Sequence, residues 1–225
     1  MSTEGGTRSA GFKPALVCFA MKDEAGAFQK RTAHNCPVSI LVTGIGKDNT
    51  RRTLLERLGR VSPAFVLSCG FAGGLDPNLV SGEVLFSTDD SILRAELTAA
   101  GARLASFHCA SRIATTVAEK IALRRATSAH AVEMESEAVH QVCHERGIPC
   151  ATVRVISDTA NENLPLDFNQ LSQPDLSLDF GKLICAIAKA PGKIPALLQL
   201  QRNCSAAAVK LADVLTKIVA RELIP

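Results

Sequence analysis

Short apolar runs alternate with amphipathic segments along this chain. Ala15–Ala20 and Val38–Thr43 are compact apolar runs, the form taken by strands buried on both faces. Lys47–Leu58 carries apolar residues at Leu54, Leu55 and Leu58 and stops at Gly59, which predicts a helix. Ala64–Cys69 predicts a third strand, broken by Gly70-Phe71-Ala72-Gly73-Gly74; Val84–Phe86 a fourth, and Leu104–Cys109 another. Glu135–Arg146 is helical in pattern and ends at Gly147-Ile148-Pro149. Ala151–Ser157 is a β-branched strand, and 159–178, polar with Pro165 and Pro174, is a loop. Leu183–Lys189 and Ala196–Ala220 predict amphipathic helices. Strands interleaved with helices imply an α/β fold with a largely parallel central sheet. No internal repeat or low-complexity segment interrupts it.

The size suits this picture. At roughly 150 residues per domain, 225 residues make one large domain or two small ones. We expect a flexible tail over 1–13 and a single domain over 14–225. A chain of this length buries about 70% of its unfolded surface and needs no staples. Apolar blocks such as Ala15–Met21 fall far short of the roughly 18 residues of a membrane span. The polar start, Met1 to Ser9, does not read as a signal peptide. Composition, 47% hydrophobic and 21% charged, excludes disordered, collagen-like and coiled-coil classes.

Charge and cysteines narrow the partners. A net charge of +3, from 25 basic and 22 acidic residues, does not imply nucleic-acid binding. With no Trp or Tyr and nine scattered Phe, a base-stacking surface for single strands is not expected. The eight cysteines form no Cys-x-x-Cys pair, and several sit in apolar runs, so they read as reduced, buried thiols of a cytoplasmic protein.

Glycine-rich turns follow two strands. Gly44-Ile45-Gly46 has Asn49 where a dinucleotide fingerprint has its third glycine, and no Walker-type Gly-Lys-Ser/Thr is present. Together the turns place open backbone at strand carboxyl ends, where open α/β sheets bind ligands. Acidic residues gather in the same places: Glu24 beyond the first run, Glu133-Met134-Glu135 at a strand-to-helix junction, and Asp158 at the end of Val153-Arg154-Val155-Ile156-Ser157. Carboxylates so placed suit a site needing an acid, a base and a hydroxyl binder. The competing reading makes Asp158 and Glu135 helix caps.

These segments, taken in order, resemble the purine nucleoside phosphorylase superfamily. The resemblance is strongest to its methylthioadenosine/S-adenosylhomocysteine nucleosidase branch. Ala20-Met21-Lys22-Asp23-Glu24, Gly44-Ile45-Gly46-Lys47 and Cys69-Gly70-Phe71-Ala72-Gly73-Gly74-Leu75 resemble its first three turns. Val132-Glu133-Met134-Glu135 and Arg154-Val155-Ile156-Ser157-Asp158 resemble its most specific motifs, and Ala190–Leu198 is similar to the hopanoid-associated members, which act on adenosylhopane. The resemblance implies a three-layer α/β/α, nucleoside phosphorylase-like fold, a homodimer or larger homo-oligomer, and no cofactor. It implies Asp158 as general acid to the purine, Glu24 as activator of water, and Arg154 as orienter of the carboxylates. Glu135 would bind ribose hydroxyls, Met134 would pack on the sugar, and Glu133 would support the site. Gly70, Phe71 and Ala72 would line it.

The chemistry is consistent with those roles. Breaking an N-glycosidic bond leaves an oxocarbenium-like sugar and a poor anionic leaving base. An acid of aqueous pKa near 3.9 needs burial to donate at neutral pH, and the apolar strand before Asp158 can supply it. An ionised second carboxylate can hold water facing the cationic sugar.

The nucleophile and the base remain open. Family phosphorylases hold phosphate with an arginine and a serine, and the matching positions here are Ser68 and Phe71. Neither restores the lost contacts, which favours water over phosphorolysis. A catalytically silent nucleoside binder is the third possibility. The resemblance puts the base-stacking position on Arg112, beside Ile113, and implies that the 88–111 segment, shorter than in typical nucleosidases, would open the 5′ side of the pocket to a bulky group. His140 and His144, with Cys143 between, show no third metal ligand nearby, so we expect no metal. Lys182, Lys189, Lys193, Arg202, Lys210 and Lys217 form either a solvated face or a weak membrane-surface contact.

Overall fold

A computed structural model describes residues 14–32, 38–171, 173 and 180–220. The expected tail at 1–13 lies outside these residues, as do His34, Cys36 and Pro174. Eight strands form one sheet among the described residues. They are β1 (Ala15–Phe19), β2 (Val38–Val42), β3 (Val66–Gly74), β4 (Val84–Ser87), β5 (Arg103–Leu104), β6 (Phe107–Cys109), β7 (Ala131–Glu133) and β8 (Cys150–Asp158). The helices are α1 (Lys22–Thr32), α2 (Lys47–Leu58), α3 (Ser91–Ala100), α4 (Val117–Thr127), α5 (Ser136–Glu145), α6 (Phe168–Leu171), α7 (Phe180–Lys189) and α8 (Ile194–Val219).

The strand order is β2-β1-β3-β8-β4-β5, with β7 paired to the end of β3 and β6 to β7. Pairing is parallel except where β7 meets β3 and β4 meets β8. The run at β1 is apolar throughout because both of its faces are covered. Ala15, Val17 and Phe19 join a core cluster with α1, α3 and α8, while Leu16 and Cys18 join another with α2 and α5. Two helical layers therefore sandwich the sheet, as the α/β/α expectation requires.

Three differences from the sequence pattern bear on function. First, the glycine run does not break β3. Gly70 to Gly73 continue the strand beside Arg154 to Asp158 of β8. Second, the expected strand Leu104–Cys109 is two short strands, β5 and β6. Third, helices α1, α3 and α4 had no assigned pattern, and β7 was marked only by the strand-to-helix junction at Glu133-Met134-Glu135. For α1 and α4 the reason is physical: Glu24 lies on the buried face of α1, and the buried residue of α4 is Lys120. Polar residues on an inward face erase the apolar periodicity that marks a helix.

Candidate active site

The site is built where β1, β3, β7 and β8 end. Glu24 enters from the first turn of α1 and is 3% exposed. Its Oε2 accepts the Met21 amide and its Oε1 the Phe71 amide, both at 2.9 Å. Burial pushes this carboxyl up to about 7, against the opposing Arg154 charge and the amide bonds.

Arg154, fully buried in the middle of β8, faces the same cluster. Its Nη2 donates to Glu133 Oε2 at 2.6 Å, to Glu135 Oε2 at 3.1 Å and to Ser68 Oγ at 3.3 Å. Opposite it in register, Gly70 has φ +152°, and a Cβ there would lie 2.6 Å from both Arg154 Nη1 and Glu24 Oε1. The bare backbone at Gly70 is therefore what lets the Glu24 carboxyl and the Arg154 guanidinium approach each other across β3.

Glu133 and Glu135 divide their labour by environment. Burial tends to raise the Glu133 carboxyl, but Arg154 and three donors from Glu135 and Ser136 outweigh it and hold it below the usual range. Glu133 thereby satisfies the first amides of α5. Glu135 stands at the start of α5 without capping it: its Oε1 instead accepts the Gly46 amide at 2.9 Å. Burial pushes the Glu135 carboxyl up, with Arg154 opposing and Glu133 adding to the rise. Met134, between the two acids, is buried.

Asp158 ends β8 and is also buried. The β3–β8 register skips Ser157, so Asp158 pairs with Gly73, and this bulge sets the acid against a residue with no side chain. A Cβ on Gly73 would stand 3.4 Å from Asp158 Oδ2. The sequence led us to expect an apolar shield around this carboxyl. The structure supplies polar partners as well: Ser157 Oγ donates to Oδ1 at 2.7 Å and Lys120 Nζ to Oδ2 at 2.6 Å. Neither Asp158 nor Glu135 caps a helix with its side chain.

The two halves of the site lie close together. Gly70 and Gly73 are three residues apart on β3, roughly 10 Å of strand. The thiol of Cys204, on α8, is pushed up to about 11 by burial and then by the charges of both Asp158 and Glu24.

The remaining candidates fall differently. Phe71 contributes its amide, and its ring packs against the main core. Ala72 is buried in a separate cluster with Leu85 and Ile156. Ile113 is tied on both its amide and its carbonyl to the Asn169 side chain, at 2.9 Å each. Arg112 is not drawn into the cluster: it is exposed and pairs with Glu119. His140 contacts Thr152 Oγ1 at 2.9 Å and Cys150 Sγ at 3.6 Å, and no group of three or more metal-ligating residues occurs among the described residues. A cavity of about 570 Å³ lined by Ser87, Thr88, Arg94, Ser106, His130 and His140 lies toward the first residues of β8, away from Asp158.

Lys120 was missed by the sequence reading. Its signal was faint: a lysine in line with Val117 and Leu123, three residues either side, on one face of a helix.

Known proteins share this arrangement of elements. A family model described as the phosphorylase superfamily matches residues 17–106 and 91–189. A 5′-methylthioadenosine/S-adenosylhomocysteine nucleosidase of Anoxybacillus flavithermus is 28% identical over 65% of this chain and 78% of its own length. The protein of the same name from Glaesserella parasuis is 29% identical over 61% and 74%. Among solved structures, futalosine hydrolase of Helicobacter pylori superposes with a TM-score of 0.70 at 17% identity, covering 93% of this chain and 98% of that one. The Helicobacter pylori 5′-methylthioadenosine/S-adenosylhomocysteine nucleosidase gives 0.70 at 18%, covering 93% and 99%.

Proposed function

The chain belongs to the phosphorylase superfamily, and from that premise we propose that it hydrolyses the N-glycosidic bond of a purine nucleoside, of the adenine type, carrying a modified 5′ group. The observation that carries this reading is the pair of buried carboxyls, Glu24 and Asp158, each set against a glycine of one strand. Bare backbone between an acid and a base leaves room for a sugar and a water.

In this reading Asp158 protonates the purine as the bond to the sugar breaks and its electron pair passes to the base. Glu24, ionised in part at neutral pH, takes a proton from water held beside the cationic sugar. Glu135, fixed by Arg154 and the Gly46 amide, accepts from ribose hydroxyls, with Met134 behind the ring. Water is favoured over phosphate because Arg154 is taken up by carboxylates and Phe71 offers only an amide, which Glu24 already occupies.

The 5′ group is inferred from the outer helices. Between Phe180 and Ala212 the chain has five cations and no acid. Ile184, Ile194 and Leu198 are 67%, 40% and 49% exposed on α7 and the first half of α8. Exposed apolar residues interspersed along the chain with cations suit an anionic lipid surface. A second copy docked face to face would set like charges together. We therefore extend the proposal to an apolar 5′ substituent, adenosylhopane-like, met at a membrane surface. Among the described residues no single helix is long and apolar enough to cross a membrane.

The test is turnover. Adenosine, methylthioadenosine and S-adenosylhomocysteine are incubated with and without phosphate, with a lipid-linked nucleoside beside them. Free sugar formed without phosphate supports the reading. Sugar 1-phosphate formed only with phosphate replaces it with phosphorolysis. Binding without base release, unchanged by Asp158→Asn, replaces it with a silent binder.

A further inference from the structure

Lys120 is fully buried, and an ammonium that leaves water needs all three of its N–H bonds paired. Here they are: Nζ donates to Asp158 Oδ2 at 2.6 Å, to the Thr159 carbonyl at 2.6 Å and to the Glu162 carbonyl at 2.8 Å. With its donors saturated, Lys120 acts through what it holds. It holds the proposed acid and the chain that follows it.

That following chain is stitched to the segment leading into α4. Leu164 donates its amide to the Thr115 carbonyl at 2.8 Å, and Asn163 Oδ1 accepts the Val117 amide at 2.7 Å. Asn169 bonds both polar groups of the Ile113 backbone. Residues 113–117 and 159–169 thus form one wall, and Lys120 ties that wall to Asp158 from inside. The helix carrying Lys120 is itself anchored by a capping box between Thr116 and Glu119.

We propose that Lys120 is a positioning residue that selects which oxygen of Asp158 donates and keeps the 113–117 and 159–169 wall in register with it. The proposal rests on the reading of Asp158 as general acid. Nζ holds Oδ2 and Ser157 Oγ donates to a lone pair of Oδ1 at 2.7 Å, so Oδ1, the oxygen not paired with the ammonium, is the one that hands its proton to the base. As the proton leaves, the glycosidic electron pair goes to the base and a carboxylate forms next to an ammonium already in place. Such a preplaced charge favours the state after transfer over the state before it.

A double-mutant cycle tests this, with S-adenosylhomocysteine and adenosine as probes. Lys120→Met should lower the kcat of base release about 100-fold, the scale of a lost general acid, with KM changed less than about threefold. In an Asp158→Asn background the same change should cost under about threefold. That background also serves if Lys120→Met alone does not fold, since it removes the carboxylate left unpaired. A crystal structure of the foldable variant should show residues 159–166 displaced. The proposal is overturned if Lys120→Met leaves kcat within threefold while Asp158→Asn loses it. A further tenfold loss in the Asp158→Asn background, or an unmoved wall, overturns it equally; in all three cases the acid assignment stands. Full turnover by Asp158→Asn removes that assignment, and this proposal with it.

Discussion

The Phe71 amide donates to Oε1 of Glu24 at 2.9 Å, which joins the proposed base to the glycine-rich end of β3. Burial nevertheless lifts this carboxyl from 4.5 to about 7. Between those values the folded state holds a proton that the unfolded chain releases, so stability falls as pH rises through the window. The full cost above pH 7 is about 3 kcal/mol. Urea unfolding at pH 5 and pH 8 should show this loss in the parent and a smaller one in Glu24→Gln, where the raised Glu135 carboxyl remains. Since the base works ionised, kcat/KM should rise with pH to a midpoint near 7, and Glu24→Gln should be at least about 100-fold slower.

Gly70→Ala should damage activity more than its size suggests. Its methyl would sit 2.6 Å from both Glu24 Oε1 and Arg154 Nη1, and φ at this position is +152°. Strain of about 1–3 kcal/mol is expected, with turnover down at least tenfold. Thermal melts and base-release assays on one preparation separate the two effects.

Removing the guanidinium should be worse. In Arg154→Met the carboxylates of Glu133 and Glu135 stay buried without their cation and Glu24 loses the charge that opposes its rise, a loss on the order of 3–5 kcal/mol. Lowering the pH from 8 to 5 should recover part of that loss as the acids take up protons. A deficit that does not shrink on acidification would contradict the ion-pair account.

The outer helices give a separable prediction. The chain should float with vesicles containing anionic phosphatidylglycerol and not with neutral phosphatidylcholine, and about 0.5 M salt should weaken the association. Ile184→Glu combined with Leu198→Glu should abolish flotation without changing turnover of a soluble probe. Retained flotation would argue against this face.

Much of this architecture was legible because apolar runs feed both faces of the sheet: β1, β4 and β8 were found within a residue or two. The same motifs put Glu24, Glu133, Glu135 and Asp158 at or just beyond strand ends, where the structure has them, with Arg154 inside β8. What escaped did so for separate reasons. Glu24 and Lys120 turn inward on α1 and α4, so these two helices lack the apolar stripe that announces a helix. The glycine run was read as a break because glycine commonly ends strands, whereas here its missing side chains make space inside one. Arg112 was placed at the base by sequence position alone; its pairing with Glu119, seven residues on, depends on how the chain bends into α4.

Helix α8 runs for 26 residues, and its buried positions begin only at Ala207. The half from Ala207 to Val219 anchors the rod in the core, so the exposed positions between Ile194 and Arg202 can be rewritten residue by residue without unfolding what it is mounted on. Evolution could thus exchange one external surface for another at that end while the inner chemistry stayed constant.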